Sequence, residues 1–414
     1  MNDYNVTPKK GKNRHIKLEQ VYNMDNIRLA DKNARKGKAR KYGPRKFDKK
    51  KEENLQLLRK SIISREYKTM SPIFEERFCD TKVRVLSKVY YPYHVAHHAF
   101  MQVVGPVMHR SYYYESAASI NGRGIHYAKK HLEKYLRKHP NWKIYYTQVD
   151  FKKFYHNVNR QKLYNKFCQT FTDEGLRWLA KDIIWSLGKH NGLGESDGTI
   201  GMGIGMYPVQ PLINFYLNDF DRDVSGIKKI KMLRYCDNIL LLSTDKKQLE
   251  KTIKTIFKWA DEIFCQPIHT NIGIQLLCEN HPISFVGYKF YQNKTFVRNN
   301  IRKRFFRKFR QAKKDKLRQV LISYKGWYEC CNALGLWRQV THMHSYKGFN
   351  TKPKQKYKPE PMRKFQFIYK NNLYLWNYTQ IIKDPSIPEK VRVPLFVGMN
   401  KQRLYSQRVK IRQM

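Results

Sequence analysis

Acidic residues are scarce in this 414-residue chain: 33 Asp and Glu stand against 82 Lys and Arg, a formal charge of +49. A field so one-sided points to a polyanionic partner, bound with a steep dependence on salt. Long apolar runs are missing too, and none approaches the length that crosses a bilayer, so no membrane attachment is expected. The opening stretch, MNDYNVTPKKGKNRH, has no apolar signal core. Cysteine is thinly scattered: seven residues, an odd number, with no CxxC pair. That argues against a disulfide framework and a cysteine zinc site, and makes a reducing cytoplasm the expected compartment. The glycine-rich stretch at residues 188–205 must be loop, yet no GKS or GKT closes it, so it is not a P-loop.

Aromatic residues, by contrast, are plentiful. Tyr, Phe and Trp number 29, 22 and 7 and interleave with the cations, as they do where bases stack on rings. A ribosome-associated or membrane-surface basic protein would share this composition, so the motifs must decide.

The most informative stretch is residues 231–243, KMLRYCDNILLLS. Two apolar runs flank an Asp-Asn pair, a short hairpin signal that leaves Asp237 at the tip of a buried ribbon. A lone carboxylate in such a place is costly unless a cation meets it. A second acid at a strand end is therefore expected, and Asp150 fits, closing IYYTQVD before FKKFYHNV. Two carboxylates on adjacent strand tips supply oxygen ligands for Mg²⁺, with phosphate oxygens completing the shell. Two such ions would clamp the attacking and leaving oxygens of a phosphoryl transfer.

The segment order resembles the reverse transcriptases, specifically the bacterial and phage type. VDFKKFY at 149–155 is similar to the first palm motif, and GIGMYPVQPLINFYLNDFD at 203–221 to the second. YCDN at 235–238 resembles the YxDD box, and ISFVGYKFY at 283–291 the primer-grip hairpin. The resemblance spans roughly residues 26–341. It implies an α+β right-hand polymerase with an antiparallel palm sheet and a C-terminal extension. The expected divisions are a basic extension at 1–50, fingers at 51–145 and a palm at 146–292 with an insertion at 160–200. A thumb at 293–345 and a β-rich extension at 346–414, outside the resemblance, complete the chain.

Carried over residue by residue, the resemblance makes Asp150 and Asp237 metal ligands for two Mg²⁺, with Mn²⁺ as the alternative ion. Asn238 stands where the family has Asp; its carbonyl oxygen still ligates, with one charge fewer. Tyr155 matches the aromatic steric gate, which shuts out a ribose 2′-OH, and the backbone at Phe151 faces phosphate. Lys82 and Arg84, on the strand pattern KVRVLSKVYY, are expected on the incoming triphosphate; a solvated edge strand guarded by lysines is the bland alternative. Arg123, in the NGRG turn, falls where the family places a basic residue near template or triphosphate. His126 matches a family histidine there. Phe285, Gly287 and Tyr288 would hold the primer terminus.

At the nucleotide site the chain reads IGMYPVQ where most of the family reads QGxxxSP. Ile204, Gly205 and Gln210 are similar to the IGxxxSQ form of diversity-generating retroelement enzymes, although Val209 departs from its Ser. Losing the usual Gln contact is expected to loosen base selection. Such an enzyme implies a template RNA, a primer and its cDNA, dNTPs, and either a basic, nucleic-acid-binding accessory oligomer or a non-coding RNA. An antiphage defence enzyme, with untemplated or protein-primed synthesis, is the second reading and a non-catalytic RNA-binding scaffold the third.

Residues 32–51 carry eleven Lys and Arg against one acid and are expected to be flexible, at least in their first part, until nucleic acid orders them. Residues 298–318 likewise carry eleven, against Asp315, with Phe305, Phe306 and Phe309 between them. Arg302, Lys303, Arg304, Arg307, Lys308 and Arg310 would form the thumb's nucleic-acid face. His94, His97 and His98 have a spacing that permits metal binding on a helix, but no acid or cysteine is near, so packing or phosphate contact is expected.

Overall fold

The computed structural model describes residues 15–79, 82–187, 200–262, 268–269, 273–333 and 335–337. Helices α1 (Leu18–Tyr22), α2 (Met24–Ala34), α3 (Tyr42–Asp48) and α4 (Lys51–Ile63) precede a hairpin of β1 (Ile73–Cys79) and β2 (Lys82–Lys88). Then come α5 (Tyr91–Ser111), α6 (Ile125–Lys138), β3 (Tyr145–Asp150), α7 (Arg160–Thr170) and α8 (Glu174–Ser186). Helices α9 (Val209–Tyr216) and α10 (Asn218–Ser225) lead to β4 (Lys231–Tyr235), β5 (Asn238–Ser243) and α11 (Lys246–Glu262). The short strands β6 (Gln275–Leu276), β7 (Ile283–Phe285), β8 (Tyr288–Phe290) and β9 (Thr295–Val297) are followed by α12 (Asn299–Gln311) and α13 (Lys314–Glu329). The expected β-rich extension at 346–414, the hairpin within it, and residues 188–199 of the glycine-rich loop lie outside the described residues.

These elements form two compact units. One holds the described residues up to Tyr112 together with Lys153–Leu217; the other holds Tyr113–Lys152 and the described residues from Asn218 onward. In the first, Ile27, Ala30 and Ala34 of α2, Phe47 of α3 and Leu55, Leu58 and Ile62 of α4 are buried, as are Val95, Phe100 and Val104 of α5. Within the basic stretch at 32–51, residues 32–34 close α2 and 42–48 form α3, while residues 35–41, the part expected to be flexible, are turn and residues 36–41 are exposed. Asp31, just before the stretch, and Asp48, within it, hold these helices in place. Asp31 is buried, and its carboxylate accepts hydrogen bonds from Arg35 (2.6 and 2.7 Å) and from the Tyr91 hydroxyl (2.6 Å). Asp48 takes a second bond from the Arg35 guanidinium at 2.9 Å. Satisfied in this way, the buried charge ties α2 to α5 instead of opposing folding.

The second unit is built on a four-stranded sheet in the order β4-β5-β3-β6, antiparallel throughout, as the resemblance implies. Strand β5 is buried from Ile239 to Ser243, which suits its central place and its unbroken NILLLS apolar run. Helix α11 buries Leu249, Ile256 and Ala260 and leaves its lysines outside, as its amphipathic spacing predicts. The expected single helix from Pro208 to Val224 is two: Leu217 is the C-cap of α9 and α10 begins at Asn218. No described helix is long and apolar enough to cross a membrane.

Candidate active site

Within the second unit, β3 and β5 run antiparallel in a register that sets Asp150 opposite Asn238 and Val149 opposite Ile239. Strands β4 and β5 pair Tyr235 with Asn238, so the two-residue turn is Cys236-Asp237. This corrects the expected Asp-Asn turn by one residue: Asn238 already belongs to β5. Cys236 supplies the positive φ (+59°) that the tight turn demands. Asp237 is thus the immediate chain neighbour of the residue paired with Asp150. Asp150, Asp237 and Asn238 therefore all lie at one end of the sheet. Asp150 and Asn238 are exposed and Asp237 is half-buried.

Two carboxylates and an amide carbonyl are hard oxygen donors, a set suited to Mg²⁺ or Mn²⁺ and unsuited to thiolate-seeking metals. Among the described residues no group of three or more His, Cys, Asp or Glu side chains is placed to hold a metal. Mg²⁺ commonly binds through one or two carboxylates and keeps positions for water and substrate phosphate.

The neighbouring main chain is tied down locally. Phe151 makes an isolated antiparallel bridge with Ile268, and its buried ring meets Phe220 edge-on at 5.7 Å. The His269 amide donates to the Asp150 carbonyl at 3.1 Å. Arg123, expected near template or triphosphate, is anchored locally. Its Nη1 donates to the carbonyls of Tyr113 (2.7 Å) and Ser116 (2.9 Å), and its guanidinium lies 5.6 Å from the Tyr127 ring centre. Those bonds make it a clasp for the turn before α6. His126 of that helix is exposed, with Nδ1 3.4 Å from the Tyr288 hydroxyl.

The primer-grip candidates form a three-stranded antiparallel sheet, β7-β8-β9, with Phe285 opposite Tyr288. Its turn has positive φ at Val286 (+41°) and Gly287 (+85°). A β-branched residue adopts such a φ only at a cost. Phe285 and Tyr288 point into the core of the unit, and Trp327 of α13 lies 5.1 Å from the Tyr288 ring. On α12, Phe305 is buried while Arg302, Lys303, Arg307, Lys308 and Arg310 are exposed and Arg304 is half-buried. Arg302, Lys303, Phe306, Arg307, Arg310 and Gln311 line an open depression of about 570 Å³ on this helix.

The first unit gathers the other candidates. β2 pairs with β1 so that Arg84 lies directly across from Arg77. Facing like charges repel, and Glu75 meets Arg77 at 2.6 Å. Arg84 is exposed, whereas the side chain of Lys82 lies outside the described residues. The Ser87 amide donates to the Ile204 carbonyl at 2.6 Å, which lays the 203–205 loop against β2. A Cβ on Gly205, at φ +112°, would sit 3.0 Å from the Ser87 carbonyl oxygen, so only glycine allows this approach. The Met202 amide donates to the Tyr155 carbonyl at 2.7 Å, and the Gln210 side-chain amide donates to the Tyr155 hydroxyl. Tyr155, Ile204, Gly205 and Gln210 are thus brought together beside the strand that bears Arg84.

The three histidines of α5 pack. His97 is wholly buried and His98 stacks on Tyr207 at 3.7 Å. Sequence reasoning passed over Arg234 and Asp221, both wholly buried and joined by a bidentate ion pair with a shortest contact of 2.6 Å. The available signal was an arginine inside a strand that must be buried on both faces.

Acidic residues at neighbouring strand ends, in a chain of strongly positive charge, suit a nucleotidyl-transferring polymerase. The family model for reverse transcriptase (RNA-dependent DNA polymerase) matches residues 77–290, just over half of the chain. The chain belongs to that family. Among curated proteins none matches this chain. Two solved structures similar to it are telomerases. The apo enzyme of Candida tropicalis truncated from its C-terminal domain is 11% identical, with a TM-score of 0.40 over 56% of this chain and 55% of that one. The Candida albicans enzyme, in complex with a fragment of telomeric RNA, is 11% identical, with a TM-score of 0.42 over 70% and 58%. The chain spans about half the length of these structures.

Proposed function

We propose that this chain is an RNA-directed DNA polymerase that extends a primer with dNTPs on an RNA template. The observation that carries this reading is the register pairing Asp150 with Asn238, next to Asp237, at the end of an antiparallel sheet in a family-matched segment. Asp150 and Asp237 would hold two Mg²⁺, with Asn238 contributing a neutral oxygen. Divalent ions held there supply activation of an attacking 3′-hydroxyl and charge neutralisation for the leaving pyrophosphate.

The remaining roles belong to the protein's own groups. Lys82 and Arg84 orient the triphosphate, and the Tyr155 ring excludes a ribose 2′-OH. The hairpin of Phe285, Gly287 and Tyr288 sets the primer terminus, with the buried rings fixing the main chain that does so. The exposed cations of α12 track the nucleic-acid backbone, which positions the duplex without reading its sequence. The division into fingers at 51–145, palm at 146–292 and thumb at 293–345 is part of the same reading.

The subtype proposed is the error-prone, diversity-generating one, working with an accessory nucleic-acid-binding oligomer. Its support is apolar Ile204 in place of the usual Gln, and a Gln210 whose amide is engaged by the gate residue. Primer extension on an RNA template tests the whole reading. Asp150→Ala or Asp237→Ala is expected to lower the rate by about 10³-fold or more, since roughly 4 kcal/mol of transition-state stabilisation is removed. Asn238→Asp is expected to keep activity and lower the Mg²⁺ requirement. Activity that appears only in Asn238→Asp would show the natural chain to be a non-catalytic RNA-binding scaffold. Sequencing the cDNA made by the natural chain tests the subtype through its error frequency.

A further inference from the structure

Arg234 is wholly buried in the middle of a β-hairpin, and so is Asp221, its partner on α10. Nε lies 2.7 and 3.0 Å from the two Asp221 carboxylate oxygens, and Nη2 lies 2.6 Å from Oδ2. The remaining terminal nitrogen, Nη1, donates to the Cys236 carbonyl at 2.9 Å. That carbonyl belongs to the first residue of the Cys236-Asp237 turn, where φ is +59°. The Arg234 main chain is pinned as well: its amide donates to the Glu115 carbonyl at 3.2 Å, and its carbonyl accepts from Ala117 at 2.9 Å.

Stability alone does not account for such a pair. Desolvating two charges costs about as much as their attraction returns, and apolar residues of similar volume often serve a core equally well. What an apolar pair cannot supply is a donor to the turn. A lysine cannot supply it either while also meeting the carboxylate bidentately, because only guanidinium has a planar fork with a nitrogen to spare.

We propose that Asp221 and Arg234 are positioning residues: the α10 carboxylate aims the guanidinium, and the guanidinium fixes the turn that presents Asp237. The consequence for metal rests on the reading of Asp150 and Asp237 as ligands. The consequence for the turn does not.

The test uses the full chain and the double variant Asp221→Leu/Arg234→Met, which removes both charges and keeps an apolar filling. Its melting temperature is expected to stay within a few degrees of the natural protein's. Amide hydrogen exchange across residues 235–238 should then quicken by about tenfold, the factor that one lost charge-assisted hydrogen bond implies. Mn²⁺ titration followed by electron paramagnetic resonance should show several-fold weaker binding. Natural exchange rates at 235–238 in a folded double variant would overturn the proposal. If the double variant does not fold, Asp221→Asn carries the same two measurements, with the same outcomes deciding. Mn²⁺ binding by the natural chain that is indifferent to Asp150→Ala would sink the metal reading and leave the exchange result to judge the turn.

Discussion

At the scale of single residues, burial decides what a charge can do. His97 is enclosed on α5, and neither ring nitrogen has a hydrogen-bond partner among the described atoms. Desolvation, aided by the neighbouring His98, pushes its pKa down to about 3. His94 and His98 are pushed down to about 2 and about 4, by burial first and then by the Lys38 charge. Their folded-state pKa values lie below the unfolded value near 6.5. The unfolded chain therefore binds more protons between those limits. The stability contributed by neutral histidines is complete above about pH 6.5 and drains away as pH falls towards 3. Urea unfolding is expected to show an unfolding free energy that drops on acidification, by up to about 1.4 kcal/mol per pH unit for a fully shifted group. His97→Leu should flatten that slope. An unchanged slope would mean that other groups dominate acid sensitivity.

At the scale of elements, the β7-β8 hairpin shows how the lack of a side chain secures a tight turn. A Cβ on Gly287 would meet Trp327 at 2.5 Å and Ile301 at 2.9 Å, and φ there is +85°. Gly287→Ala is expected to destabilise the protein by roughly 2–4 kcal/mol, from overpacking and the left-handed backbone together. Trp327→Ala should relieve part of that penalty in the double variant, read as coupling in a thermal-melting cycle. Additive losses would show that the contact with Trp327 is unimportant. This element was legible in ISFVGYKFY, because alternation around a glycine has one compact solution. The Cys236-Asp237 turn was displaced by one residue in the sequence reading. Its positive φ falls on a cysteine, a residue that carries no turn signal. The helices that flank the basic turn at 35–41 were not legible for a related reason: composition counts the cations, while Asp31 and Asp48 act by where they are.

At the scale of the whole molecule, charge is the dominant property. A net +49 with exposed cations along α12 predicts binding governed by counterion release. With six to ten phosphate contacts, affinity for an RNA–DNA duplex should fall by about 10³- to 10⁵-fold between 50 and 200 mM salt. Arg307→Ala should lower the logarithmic salt slope by about 1 and leave sequence preference untouched. A salt-independent affinity would argue that rings and shape, not phosphates, carry the binding.

By itself the sequence offered the catalytic candidates and the polyanionic partner class, each resting on local pattern: an acid at a strand end, a sum of charges. The antiparallel sheet was expected through the family resemblance, not from periodicity. Only the tertiary structure decided that Arg123 clasps its own turn, that Gln210 meets Tyr155, and that Arg234 reaches from Asp221 to the Cys236 carbonyl. Those are contacts between residues two to fifty-five positions apart, and no periodicity encodes which donor finds which acceptor. Packing settles that, because a buried polar group must be satisfied by whatever the fold brings within reach.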